Sequence, residues 1–157
     1  DGPAYEYHNA PEKTESVRDP QGRGWTTLGD VGYVDDDGWL YLTDRQAFMI
    51  ISGGVNIYPQ EIEDCLVMHP KVADVAVFGV PDDEMGEAVH AAVQPAEGID
   101  GDEALAGELR SYVREHIAHF KCPQRFEFHD ELPRLPTGKL YKNKLRSPHW
   151  DGREREI

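Results

Sequence analysis

A chain of 157 residues, 39% hydrophobic and 29% charged, is long enough for about one domain with a buried core. Lys and Arg number 16 against 30 Asp and Glu, and this net charge of −14 excludes a general binder of nucleic-acid polymers, whose phosphates demand positive surface. No apolar run approaches the roughly 18 residues that cross a bilayer, so no transmembrane segment is expected. The opening stretch DGPAYEYHNAPEKTE is polar and proline-rich, unlike a signal peptide. Cys65 and Cys122 lie 57 positions apart without CxxC spacing, which fits neither a disulfide framework nor a zinc site. A cytoplasmic location is expected, and the missing initiator Met suggests a fragment or processed chain.

In chain order, residues 1–22 read as irregular, broken by Pro3, Pro11 and Pro20. Strand character appears at Trp25–Leu28. GYV and WLYLT flank the turn DDDG and predict a β-hairpin. QAFMII (46–51) reads as a short buried strand and SGGVN (52–56) as a glycine loop. Pro59 suits the first turn of a helix whose Ile62, Cys65, Leu66 and His69 share a face, and Pro70 stops it. VADVAVFGV (72–80) and AVHAAV (88–93) are strands around the turn PDDEMGE. Residues 101–119 form an amphipathic helix with the stripe Leu105, Leu109, Tyr112, Val113 and Ile117. RFEFH (125–129) is a last strand, LPRLPTGK (132–139) a loop and LYKNKLR (140–146) a short basic helix.

Charge is uneven along this outline. Residues 1–47 carry ten acids against four bases, residues 48–120 fourteen against three, and residues 121–157 six against nine. The basic cluster Lys121, Arg125, Arg134, Lys139, Lys142, Lys144 and Arg146 is either a solvated face balancing the acidic body or a site for a small polyanion. PTGK (136–139) is not a Walker loop: Pro133 stands at its first Gly position and Leu140 at its Ser/Thr position. The seven His are scattered; His116 and His119 could share a helix face but lack further ligands, so no metal site is expected. Three features remain, each with two readings. Lys139, after Thr137-Gly138, is a projected charge or a surface lysine. Gly53-Gly54 is a close approach to a ligand or a tight connection. Asp30, with Asp44 and Arg45, can bind vicinal hydroxyls or pair structurally.

The ordered strings GWTTLGDVGYVDDDGWLYLTDR, MIISGGVNIYPQEIE, HPKVADVAVFGVPDDEMGE, HFKCP and LPRLPTGKL resemble the adenylate-forming superfamily, which includes acyl-CoA synthetases, luciferases and peptide-synthetase adenylation domains. The resemblance covers about residues 20–146 and is closest to fatty-acid-type acyl-CoA synthetases. It implies an α+β fold: residues 45–157 as a small mobile C-terminal domain with a short mixed sheet flanked by helices, and residues 1–44 as terminal strands of a large, missing N-terminal AMP-binding domain. It implies ATP, Mg2+ and CoA as substrates and cofactors, a carboxylic acid, fatty in type, as the activated substrate, and the missing domain as partner. Asp30 matches the ribose-binding aspartate, with Leu28 replacing the usual Thr, and Arg45 matches the ribose-binding arginine. Lys139 matches the catalytic lysine of adenylation. Gly53 and Gly54 match the pantetheine tunnel. Lys121 and Arg125 are candidates for CoA phosphates. Ala47 stands where the family's hinge carries Asp or Lys. The phosphate loop and acyl pocket are not in this stretch, so it is expected to be inactive alone. The alternatives are a stand-alone, non-catalytic interaction module and a peptide-synthetase-type adenylation domain.

Overall fold

A computed structural model describes residues 6–153, so the first five residues of the stretch expected to be irregular lie outside it. The chain forms two compact units that part between Ala47 and Phe48.

In the first unit, Pro11 opens a one-turn helix, α1 (Pro11–Ser16), where an irregular segment was expected. Thr14 stabilises it: the buried hydroxyl donates to the Ala10 carbonyl (3.0 Å) and accepts from the Tyr7 amide (2.9 Å). The expected strand at Trp25–Leu28 is absent apart from one bridge between Arg18 and Thr26. Side chains take backbone donors on either side of it, while the Thr27 amide donates to the Val17 carbonyl. Asp19 accepts from the amides of Gln21 and Arg23, and Thr27 from that of Gly29, which competes with a ladder. The predicted hairpin does form, from β1 (Asp30–Val34) and β2 (Leu40–Arg45), antiparallel. Asp35 organises its turn by accepting from the amides of Asp37 and Trp39. Those bonds hold its carboxyl below the ordinary value, the Trp39 bond most strongly.

The second unit is an α+β domain around one mixed sheet. β3 (Ile50–Ser52) and β4 (Val55–Ile57) form a hairpin, followed by α2 (Pro59–Val67). The long pair β5 (Val72–Asp82) and β6 (Gly86–Pro95) is the spine. α3 (Glu103–His116) crosses over to β7 (Arg125–Phe128), which lies parallel to β6 beside His90–Val93. β3 meets the start of β6 at Gly86. α4 (Lys142–Arg146) and a 3-10 turn (Ser147–Trp150) close the described chain.

The apolar run at residues 75–80 of β5 follows from burial on both faces. Val75 and Val77 pack with Ile62 and Leu66 of α2 and Leu109 and Val113 of α3. Ala76, Phe78 and Val80 face the other way, against Leu132, Leu140 and Leu145. The α3 stripe is buried at Leu105, Leu109 and Val113, and Asp102 caps the helix by accepting from the Leu105 amide at 2.9 Å. α3 ends at His116, three residues short of the expected boundary, because Ile117 is extended.

Candidate functional site

Lys139 sits near the tip of a small hairpin. The Leu135 amide donates to the Lys139 carbonyl and the Gly138 amide to the Leu135 carbonyl, both at 2.8 Å. An Arg134–Leu140 bridge closes the base. Gly138 adopts φ +83°, a left-handed conformation that disfavours a side chain. Leu132 before the tip and Leu140 after it are anchored in the apolar layer beneath β5. Arg134 braces the whole: one guanidinium nitrogen donates to the Gly138 carbonyl at 2.7 Å and the other pairs with Asp74 of β5. The Lys139 side chain is exposed.

The helix that follows is clamped by two charges at i and i+4. Lys142 pairs with Glu63 of α2 at 2.7 Å, and both side chains are about nine-tenths buried. The same Glu63 oxygen accepts from the Val77 amide at 2.6 Å. Arg146 approaches Glu87 of β6 at 3.9 Å, and Glu87 accepts from the Ile51 amide at 2.8 Å. Gly79 makes room for that carboxylate, since a Cβ there would lie 2.7 Å from Glu87 Oε2.

Gly53 and Gly54 are the two-residue turn of the β3–β4 hairpin, not an open loop. Ser52 pairs with Val55, and φ is +55° and +79° at the two glycines, as a primed turn requires. A Cβ on Gly53 would meet Met85 Sδ at 3.0 Å, whereas a Cβ on Gly54 would find no atom within 4 Å. In the first unit, the β1–β2 register sets Asp30 opposite Arg45, with Nε 3.3 Å from Oδ1. Asp44 turns back on the backbone and accepts from the Arg45 amide. Lys121, in a 3-10 turn, pairs with Glu61 at 2.5 Å. Arg125 is exposed at the start of β7. His116 bonds the Tyr112 carbonyl and stacks on its ring, without His119. Burial raises both thiols, Cys65 and Cys122, above their ordinary value, which favours the protonated form.

The sequence profile of the AMP-binding enzyme C-terminal domain matches residues 61–139, from the first turn of α2 to Lys139 itself. The chain belongs to this family. It is 40% identical over 153 residues, 97% of its length, to a fatty acid–[acyl-carrier-protein] ligase of Streptomyces coeruleorubidus. It is 42% identical over 144 residues, 92% of its length, to a long-chain-fatty-acid–CoA ligase of Mycobacterium tuberculosis. It spans only 28% and 27% of these two relatives. Among solved structures, the o-succinylbenzoate CoA synthetase of Bacillus subtilis in complex with its acyl-adenylate intermediate superposes with a TM-score of 0.75. The identity there is 38%, over 95% of this chain and 28% of that one.

Within this AMP-binding C-terminal domain the basic cluster resolves into two groups. Lys121, Arg134, Lys142 and Arg146 each face a carboxylate. Arg125, Lys139 and Lys144 are exposed and carry no ion pair among the described residues. The bracing by Arg134 was not legible beforehand, because its carboxylate lies sixty positions away in sequence. The spacing of Lys142 and Arg146 on one helix face was an available signal for the clamp.

Proposed function

We propose that this chain is the C-terminal part of an AMP-forming acid–thiol ligase, an acyl-CoA synthetase that activates a carboxylic acid of the fatty type. The observation that carries the reading is Lys139: an unpaired ammonium on a hairpin braced from both sides, in a domain whose neighbouring cations are mostly neutralised. Adenylation brings a carboxylate oxygen to the α-phosphorus of Mg·ATP. Both reactants are anionic, and pyrophosphate leaves as negative charge shifts toward it. A positioned ammonium lowers the repulsion and stabilises the charge that develops in the transition state. Arg134 holds the hairpin so that this charge is oriented before substrate arrives.

Asp30 and Arg45, opposed across β1 and β2, suit the ribose: the carboxylate accepts from two vicinal hydroxyls and the guanidinium donates. Attack by the CoA thiol on the acyl carbon then expels AMP. The Gly53-Gly54 turn offers a side-chain-free backbone for a narrow pantetheine passage, with exposed Arg125 as a candidate for CoA phosphate and Lys121 as a weaker one because Glu61 already holds it. The two faces act in turn if the domain rotates about the segment around Ala47, a rigid-body switch between half-reactions. The exposed apolar side chains of the hairpin unit support a large covering domain: Tyr33, Val34, Trp39 and Leu42 are each more than 60% exposed. Activity requires that domain, and a cytoplasmic location belongs to the same reading.

The test is acid-dependent exchange of pyrophosphate into ATP by the complete ligase. Lys139→Ala should reduce exchange by about a thousandfold or more, the scale on which loss of a charge-stabilising group acts. Exchange at the wild-type rate would reject the role.

A further inference from the structure

On the face of the sheet away from α2 and α3, three side chains from three separate elements converge: His90 of β6, Glu127 of β7 and His149 of the C-terminal 3-10 turn. We propose that they bind a divalent transition-metal ion of the zinc type. The spacing is that of a coordination shell. His90 Nε2 lies 3.3 Å and His149 Nε2 3.6 Å from the same oxygen, Glu127 Oε2. Ligands about 2.0–2.1 Å from a tetrahedral zinc lie roughly 3.4 Å apart. All three ligand atoms fall within 4.8 Å of one another, and the His149 side chain is 31% exposed.

His90 supplies the second, independent observation. Its side chain is 94% buried; Nδ1 has no hydrogen-bond partner among the described residues, and Nε2 has only the 3.3 Å approach to Glu127 Oε2. A buried polar atom without a partner is rare in a native fold and calls for a ligand. The ring stacks on Phe78 and leans on His149, so its orientation is fixed by packing before any ion arrives. The other carboxylate oxygen of Glu127 lies 3.2 Å from His129 Nε2, a contact that orients the ligand from outside the shell. An open groove lined by Glu127, His129, Tyr141, Lys144 and His149 leads to the site and gives the ion and a coordinating water their way in. Imidazole with carboxylate is a donor set suited to Zn2+ rather than Mg2+ or Ca2+. Bound there, the ion would staple the turn that follows α4 to two strands of the sheet, behind the Lys139 hairpin.

The site is independent of the ligase reading, and so is its test. The 157-residue chain, stripped with a chelator, is titrated with ZnCl2 by calorimetry, and its thermal midpoint is followed with and without the ion. One Zn2+ should bind per chain with micromolar or tighter affinity and raise the midpoint. His149→Ala and Glu127→Gln alter partly exposed side chains and should leave the metal-free midpoint near that of the parent. Each should weaken binding about tenfold or more, since loss even of an outer partner costs that much. Replacement by Co2+ should give the intense visible absorption of a low-symmetry site. Failure of the parent chain to bind stoichiometrically, or unchanged affinity in either variant, overturns the proposal.

Discussion

In the proposed reaction Lys139 and Arg134 divide one task. The lysine carries the charge and the arginine fixes where the charge sits, through the Gly138 carbonyl and Asp74. Arg134 is exposed and its ion pair adds little to stability, so its removal should register in catalysis instead. In the complete ligase, Arg134→Ala is expected to lower kcat for adenylation about 10- to 100-fold, with little change in the KM for ATP and in the thermal midpoint. Misplacement of a reacting group by about 1 Å has that effect. Partial rescue by Arg134→Lys and an unaffected thioester step would mark a positioning role, whereas a loss of thermal stability matching the loss of rate would mark a merely structural one. A phosphate contact predicts a different signature at Arg125. Arg125→Ala should raise the KM for CoA several-fold yet leave that for pantetheine, which lacks the nucleotide phosphates, unchanged; equal effects on both would reject the contact.

Among the elements, α4 shows what the basic C-terminus is for. Lys142–Glu63 is buried, so deleting one partner leaves a charge in low dielectric. Lys142→Met should destabilise the second unit by about 3–5 kcal/mol, read by urea denaturation, and adding Glu63→Gln should return part of that loss. A loss below about 1 kcal/mol would mean the pair is solvated. In the first unit, the Arg23 guanidinium beside Asp19 holds its carboxyl down to about 2 against an ordinary 3.8, helped by the Gln21 and Arg23 amides. A carboxyl depressed on folding stabilises above its unfolded pKa and loses that contribution as pH falls through the folded one. The 19–23 turn should therefore loosen between about pH 4 and pH 2, with the Asp19 carboxyl carbon titrating near 2 by NMR and shifting back toward 3.8 in Arg23→Ala. A midpoint near 3.8 in the parent chain would show that the pairing does not form.

Much of this architecture was legible because the physics is local. The doubly buried part of β5 shows as an apolar run, α3 as a helical stripe with Asp102 at its head, and the β1–β2 hairpin as alternation around DDDG. What failed to show depends on competition or distance. Residues 25–28 have strand composition but meet the chain only at the Arg18–Thr26 bridge and the flanking Val17 and Asp19 backbone, and α1 hangs on a single buried threonine. SGGVN reads as a loop until its serine and valine pair. The histidine–glutamate cluster has no sequence signature, because His90, Glu127 and His149 come from different elements and meet only in the folded sheet.

For the molecule as a whole, the chain is two compact units of unequal size, and the proposed reaction draws on both. The hairpin unit holds Asp30 and Arg45 and exposes large apolar side chains, while the AMP-binding C-terminal domain holds Lys139 and the Gly53-Gly54 turn. No helix among the described residues is long and apolar enough to cross a membrane. The division of labour between the hairpin of Lys139 and the turn of Gly54 is most directly tested by assaying both half-reactions in two variants of the complete ligase. Lys139→Ala should lose adenylate formation while converting supplied acyl-adenylate to thioester at the parent rate. Gly54→Leu, whose Cβ meets no atom within 4 Å but whose side chain strains the turn at φ +79°, should do the reverse. Equal damage to the same half-reaction by both substitutions would contradict the account.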